Sequence, residues 1–329
     1  MQKISVIGAG AWGTALASIA ARAGAEVTIW ALEPEVAASI NQKHENEMYL
    51  NGISLPDSLT ATNDFDHLGD AHAILMVPPA QFVRPTLQNI KPHLKDGTPI
   101  ILCSKGIERG TGKLMTDVLA EEVPGAIAAV LSGPSFAKDV AQGLPTAVTL
   151  ACTDQDLGAG IADAIGLATF RIYLSDDLIG AEVGGAVKNV LAIACGIVDG
   201  KMFGDSARAA LIARGFAEVK RFAVALGGQK ETLSGLSGLG DLILTCSSPQ
   251  SRNQSLGFAL GQGESLDAIM SSRNTVAEGV HTAKAVVELA EAKGIEMPIS
   301  KAVEDIVSGA KSVDEAIIDL LSRPVGDEI

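Results

Sequence analysis

The sequence predicts an α/β domain followed by an all-α domain. Three observations lead there. The chain opens on a strand-like run, a glycine turn and a helix-forming run, with GxGxxG spanning Gly8 to Gly13. Strand and helix patterns then alternate as far as about residue 180. From Ile179 to Asp199 nearly every residue is small or apolar, and mostly helical patterns follow. The expected division is 1–180 for a Rossmann-type dinucleotide-binding domain and 181–329 for a helical domain that completes the substrate site.

Length and composition agree with two domains. The chain has 329 residues, 47% of them hydrophobic and only 4% aromatic, so its cores are built from Ala, Val, Ile and Leu. The net charge of −14 argues against nucleic acid or an anionic membrane as the main partner. It also requires that any anionic substrate be held by a local basic cluster. Cys103, Cys152, Cys195 and Cys246 lie far apart in apolar runs, with no metal-binding spacing, and read as reduced thiols of a cytoplasmic protein. Ile4 to Ala21 is uncharged and nearly long enough to span a membrane, but its glycines and its change of period argue against insertion. No metal is expected, and a homodimer is compatible with the sequence.

Taken in order, Lys3 to Ile7 is the first strand and Thr14 to Ala23 the first helix, stopped by Gly24. Between them, Gly8 makes the tight turn, Gly10 admits a pyrophosphate to the backbone and Gly13 lets helix pack on strand. The unpaired N–H groups of Ala11, Trp12 and the rest of the first turn would face the phosphates. Val27 to Trp30 is the second strand. Glu33 follows Gly13 by about twenty positions, the spacing of an acid that accepts from the adenosine ribose and repels a 2′-phosphate. A solvent-facing glutamate before Pro34 is the plain alternative. Glu35 to Glu47 reads as a surface helix.

Ala73 to Val77, Ile100 to Cys103, Ala126 to Leu131, Thr146 to Ala151 and Phe170 to Leu174 read as further strands. Ligands in such sheets bind at the strands' carboxyl ends. That places Lys105, Gly133 and Ser135 on the ligand face, although a loop cation and a simple turn are the bland readings. Asp154 and Ser175 have the look of helix N-caps.

The helix from Ile179 to Asp199 carries Lys188 and Asn189 among apolar neighbours. A buried lysine without a partner is expensive, so it either snorkels to water or lines a cleft where it moves a proton or holds an anion. Gly184 and Gly185, one turn earlier, allow another backbone or a ligand to approach, which favours the cleft. Further on, Ser206 to Leu226 is a long helix. A glycine turn presents Asp241 ahead of an apolar run, as an N-cap or as a site residue. Ser251, Arg252 and Asn253 form a plausible anion site beside a helix start.

Seven motifs occur in one order: GAGAWGTALA, SKG at 104–106, SGPSFA at 132–137, GGAVKNV at 184–190, GLGDLILTC at 238–246, SRN at 251–253 and VAEG at 276–279. Together they resemble the bacterial NAD(P)-dependent glycerol-3-phosphate dehydrogenases, from about Lys3 to Leu321. The resemblance implies a Rossmann domain, a helical domain and an active site between them that interconverts sn-glycerol 3-phosphate and dihydroxyacetone phosphate for phospholipid synthesis. It implies that Lys188 is the proton acceptor. It implies that Lys105, Gly133, Ser135, Asp241, Ser251, Arg252 and Asn253 contact the substrate. For the cofactor it implies Trp12, Lys105, Ala137, Arg252, Val276 and Glu278 besides the glycine turn. Family members that use NADP often carry a basic or polar residue where this chain has Leu32, and the loop from Ala31 to Ala38 holds two glutamates and no Lys or Arg, so NAD is expected over NADP. The competing expectations are a 3-hydroxy acid dehydrogenase of the same architecture and a non-catalytic NAD-sensing module.

Overall fold

The computed structural model describes residues 1–272 and 277–324. Eight strands form one sheet: β1 Lys3–Ile7, β2 Glu26–Trp30, β3 Leu59–Thr62, β4 Ala73–Met76, β5 Pro99–Leu102, β6 Ile127–Ser132, β7 Thr146–Cys152 and β8 Phe170–Ser175, in the order β3-β2-β1-β4-β5-β6-β7-β8. The first six are parallel to one another. β7 runs antiparallel to β6, and β8 is parallel to β7. Helices α1 Ala11–Arg22, α2 Pro34–Lys43, α3 Val83–Ile90, α4 Met115–Glu122, α5 Ala137–Ala141 and α6 Gln155–Ile165 lie between the strands. Every residue of β4 and β5 is buried, as expected of parallel strands covered on both faces. The strand order reverses between β1 and β4, so a crevice opens at their carboxyl ends.

The remaining described elements are helical: α7 Leu178–Gly200, α8 Asp205–Ala225, α9 Lys230–Leu233, α10 Asp241–Ser247, α11 Arg252–Gly261, α12 Leu266–Ser271, α13 Glu278–Ala292, α14 Pro298–Val307 and α15 Val313–Leu321. They are arranged around α7, which α8, α10, α11, α13 and α14 all touch. By length and composition α7 could cross a membrane, but its most apolar window is 94% buried inside the protein, so it is the core of the helical domain. Its small residues explain how so many neighbours fit. A Cβ added at Gly196 would lie 2.0 Å from the Gln254 carbonyl oxygen, and one at Gly257 would lie 2.0 Å from the Ile193 oxygen. The backbones of α7 and α11 therefore touch, which only glycine permits.

Several expectations need correction. The second helix stops at Lys43, because His44 turns left-handed at φ 50°, so residues 44–47 are not helical. The short strand β3, with its half-polar sequence LTAT, was not foreseen. Ser175 is not a helix N-cap: it ends β8, and its Oγ accepts from the Asp177 N–H at 3.2 Å. Asp177 caps α7 instead, accepting from Gly180 N at 2.8 Å. Asp154 does cap α6, accepting from Leu157 N at 2.9 Å.

Buried carboxylates also cap helices that they do not belong to. Met297 stands at the N-cap of α14 and cannot accept there. Glu218 of α8, only 2% exposed, accepts instead from Ile299 N at 2.7 Å, Ser300 N at 3.2 Å and Ser300 Oγ at 3.1 Å. Burial raises its pKa, against the pull of those donors. Glu218→Ala would strand two backbone donors and a hydroxyl away from water. We expect a loss of about 2–4 kcal/mol in chemical denaturation, with Glu218→Gln losing clearly less because it can still accept.

Candidate active site

The site is built around one carboxylate. Asp241, 1% exposed, is the first residue of α10 and follows the π-helical turn Leu236–Gly240. It does not serve as an N-cap. Its Oδ1 accepts from Lys188 Nζ at 2.5 Å and its Oδ2 from Lys105 Nζ at 2.7 Å. Lys188 comes from the middle of α7, whereas Lys105 comes from the loop after β5, so the pair of ion pairs joins the helical part of the chain to the sheet's carboxyl edge. Each ammonium has three donors. Lys105 spends a second on the Gly133 carbonyl at 3.1 Å, and Lys188 a second on Thr245 Oγ1 at 3.0 Å. The Thr245 hydroxyl donates to the Asp241 carbonyl oxygen at 2.7 Å, which leaves its lone pairs to Lys188. Among the described residues, no third partner is assigned to either ammonium.

Lys188 is only 7% exposed. Burial lowers its pKa to about 8, and the nearby Lys105 charge pushes the same way, while the Asp241 carboxylate opposes both. An amine so placed exchanges its proton near neutrality, which an ordinary lysine does not.

Gly184 and Gly185 allow this convergence. A Cβ at Gly184 would lie 2.4 Å from the Ser237 carbonyl oxygen, and one at Gly185 would lie 2.8 Å from Ser132 Oγ and 3.3 Å from Lys105 Cγ. The turn that delivers Asp241 and the stem of Lys105 thus press directly on α7. Asn189 adds a polar chain: its Nδ2 donates to the Lys105 carbonyl at 3.3 Å, its Oδ1 accepts from Asn253 Nδ2 at 3.0 Å, and Asn253 Oδ1 accepts from Gly279 N at 3.0 Å. Asn253 therefore faces inward, with part of its capacity already used. Ser251 caps α11, accepting from Gln254 N at 3.2 Å, and Arg252 stands exposed in the first turn of that helix. The Ser135 hydroxyl donates to the Gly133 carbonyl at 3.1 Å, and Ala137 opens α5. Glu278 opens α13 and reaches the sheet, accepting from Ala80 N at 3.1 Å. Burial raises its pKa; the backbone donor, Arg252, Lys188 and Lys105 all oppose the rise. Val276 lies outside the described residues.

The glycine turn suits a dinucleotide. Gly8 has φ +108°, and a Cβ at Gly13 would lie 1.9 Å from the Gly8 carbonyl oxygen, so α1 packs on the turn as the motif requires. Beside Gly10 there is open space, and no side chain caps α1 or places an acid in its first turn. The buried Trp12 Nε1 has no hydrogen-bond partner among the described residues. Such a helix start offers free N–H groups to an anion. Glu33 stands just before α2, after β2, and its Oε1 accepts from the Tyr49 hydroxyl at 2.8 Å. Tyr49 is held by Asn46, whose Oδ1 accepts from Tyr49 N and whose Nδ2 donates to the Ala9 carbonyl and to Thr14 Oγ1.

A Rossmann sheet with an open glycine turn, joined at its carboxyl edge to a lysine of depressed pKa, defines a dinucleotide-dependent oxidoreductase of two domains. The comparisons narrow the class. Family models described as the N-terminus and the C-terminus of NAD-dependent glycerol-3-phosphate dehydrogenase match residues 3–158 and 177–318. A protein of Parvibaculum lavamentivorans named glycerol-3-phosphate dehydrogenase [NAD(P)+] is 60% identical over 99% of this chain and 98% of its own length. Its namesake in Caulobacter vibrioides is 59% identical over 99% of each. The crystal structure of glycerol-3-phosphate dehydrogenase from Coxiella burnetii superposes with a TM-score of 0.94 at 39% identity, covering 98% of this chain and 99% of that one. The chain belongs to the NAD-dependent glycerol-3-phosphate dehydrogenase family.

Thr245, Asn189, Asn46 and Tyr49 escaped the choice of site residues. Thr245 had a signal, since it follows Asp241 by one helical turn. Asn46 had only a local one, the Tyr49 N–H three positions on, because its other partners lie over thirty positions away. The electrostatics yield a prediction. Asp241 raises the Lys188 pKa, so in Asp241→Asn the Lys188 signal, followed by NMR of 13C-labelled lysine, should titrate below its wild-type midpoint. A midpoint unchanged or raised would contradict the assigned geometry.

Proposed function

We propose that the protein interconverts sn-glycerol 3-phosphate and dihydroxyacetone phosphate, supplying glycerol phosphate for phospholipid synthesis. The observation that carries this reading is the buried Lys188, held by Asp241 beside Lys105 at the mouth of the dinucleotide crevice. The family match favours a phosphorylated substrate over a 3-hydroxy acid, and a tuned amine has no use in a non-catalytic module. Four buried free thiols suit a reducing compartment, so we assign the enzyme to the cytoplasm. The exchange of function follows the sheet-to-helix change near Gly180, with residues 1–180 binding the cofactor and 181–329 completing the substrate site.

The glycine turn with Ala11 and Trp12 would hold the pyrophosphate, and Glu33 the adenosine ribose; Lys105, Ala137, Arg252, Val276 and Glu278 would hold the remainder. Bound there, a nicotinamide dinucleotide supplies a hydride acceptor for oxidation and a donor for reduction at C2. The chain's own residues handle the proton. In oxidation, neutral Lys188 takes the C2 hydroxyl proton; in reduction its ammonium returns a proton to the ketone oxygen. Asp241 aims the Nζ and stabilises its charged form, whereas burial and Lys105 favour the neutral form, and the balance near 8 serves both directions. The third N–H of Lys105 is available to the polarised C2 oxygen. Arg252, in the first turn of α11, would grip the phosphate, aided by Ser251 and Asn253. Gly133 and Ser135 border the same space from the sheet side. Binding energy from the phosphate, remote from C2, then fixes the reacting carbon.

Lys188→Ala should lower kcat for dihydroxyacetone phosphate reduction about a hundredfold or more while the Kd for NADH, read by fluorescence, stays within a few-fold. Retention of more than about a tenth of wild-type kcat would remove Lys188 from proton transfer, and no turnover by wild type would overturn the function itself. Cofactor choice is tested in the same assay. Glu33 is partly buried, and Leu32 beside it is 72% exposed and offers no charge to a 2′-phosphate. NADH should therefore have the higher kcat/KM, and Glu33→Gln should narrow the gap. A ratio at or below one would contradict NAD preference.

A further inference from the structure

Glu182 is a buried acid that the chemistry above does not use. It sits on α7, in the same helix as Lys188, and is 5% exposed. Its partners are on the other side of the domain junction. The N-cap position of α4 is Leu114, whose side chain cannot accept a hydrogen bond. Glu182 accepts in its place: Oε1 from Thr116 N at 3.0 Å and Oε2 from Thr116 Oγ1 at 2.6 Å. The second position of a helix is where an N-cap side chain would normally act. Helix α4 is capped from another domain.

The location of α4 gives this contact its consequence. The chain leaves β5 at Leu102, passes through Lys105 and returns to regular structure at Met115. That loop is braced along its length. Gln81 Nε2 donates to the Ile107 carbonyl at 2.8 Å, and Arg84 grips the Glu108 carboxylate through Nε at 2.7 Å and NH2 at 2.8 Å. All of these braces come from the sheet domain. Among the described residues, the loop and its following helix meet side chains of the helical domain through Asp241 and Asn189 at Lys105, His281 at Arg109, and Glu182 at Thr116. Of these, Asp241 reaches the Lys188 ammonium, and Glu182 stands nearly two turns earlier on the Lys188 helix.

We infer that Glu182 is a positioning residue, which by capping α4 from α7 sets the separation between the Lys105 loop and the Lys188 helix. The inference rests on the reading of Lys188 and Lys105 as the reacting pair. Its physical logic is that the Asp241 and Asn189 contacts both gather at Lys105, so the segment beyond can still pivot about that end. A second, bidentate tie removes that freedom, and misplacement of a catalytic group by about 1 Å can lower turnover by up to a hundredfold. Glu182 also carries a shifted pKa. Burial lifts its pKa to about 7, with Asp117 in the first turn of α4 pushing the same way and the Thr116 donors opposing. A carboxyl so shifted binds its proton more tightly folded than unfolded, so its contribution to stability declines as pH rises from its ordinary range towards 7.

The experiment compares wild type with Glu182→Ala and Glu182→Gln for kcat, KM of dihydroxyacetone phosphate, NADH Kd by fluorescence, and Tm. Glutamine can accept from Thr116 N and donate to Thr116 Oγ1, so it keeps both ties without a charge. Glu182→Ala should lose about tenfold or more in kcat, with the NADH Kd within about threefold of wild type, and Glu182→Gln should return to within about threefold of wild-type kcat. A folded Glu182→Ala with wild-type kcat, or a Glu182→Gln as slow as Glu182→Ala, would overturn the inference. Should Glu182→Ala fail to fold, Thr116→Val removes one tie and leaves the acid; a lowered kcat at retained Tm supports the role, and a wild-type kcat overturns it. Wild-type turnover in the same assay keeps a failure here distinct from a failure of the proposed reaction.

Discussion

Two ammonium groups and one carboxylate meet where the carboxyl edge of the sheet faces the central helix. Lys105 arrives from the sheet, Lys188 and Asp241 from the helices, and none of the three is tolerable in its place without the others. A lysine 7% exposed and an aspartate 1% exposed each carry a desolvation penalty of several kcal/mol that only a close, well-made pairing offsets. The pairing is uneven by design of charge: one anion serves two cations. That surplus positive charge, in a chain of net charge −14, is what an anionic substrate can find.

Much of the rest of the structure exists to let these groups converge. Helix α7 is made of small residues so that α10, α11, α13 and the Lys105 loop can lie against its backbone; a methyl group at Gly184 or Gly185 would separate them. Carboxylates then fix neighbouring helices from outside, Asp177 accepting from Gln229 N as well as capping its own helix, Glu218 holding α14 and Glu182 holding α4. Each supplies an acceptor to a helix start, where N–H groups lack partners and the helix dipole favours negative charge. In this way helices from distant parts of the sequence are tied at their ends as well as packed along their sides.

How much of this was legible depended on whether the partner lay nearby in sequence. The strand, glycine turn and first helix could be read because each glycine's role is local, and Gly8, Gly10 and Gly13 each have the surroundings that the motif demands. Lys188 stood out because a charge in an apolar helix has no local excuse. Asp241 was ambiguous, since a residue after a glycine turn is as readily an N-cap as a counter-ion, and only the tertiary approach of two lysines decides. Ser175 and Asp177 are two residues apart and chemically able to do the same job; the strand ran one residue longer than expected and consumed the first. Strand β3 has four residues and little apolar character, so its pairing with β2 defines it more than its composition does. The antiparallel turn from β6 to β7 left no local mark. Glu182, Asn46 and Tyr49 were invisible because the contacts that place them, Thr116 for Glu182, Ala9 and Thr14 for Asn46 and Glu33 for Tyr49, lie sixteen or more positions away.

Burial and Lys105, set against Asp241, bring Lys188 to a pKa near 8, which suits proton transfer in both directions. The direct measurement is kcat against pH for reduction and for oxidation, in the wild-type enzyme at saturating substrates. Reduction needs the ammonium and should fall as pH rises through about 8; oxidation needs the free amine and should rise through the same range. Opposite limbs sharing a midpoint near 8 are the result predicted. Limbs that move in the same direction, or a midpoint at the ordinary lysine value of about 10.4, would contradict it.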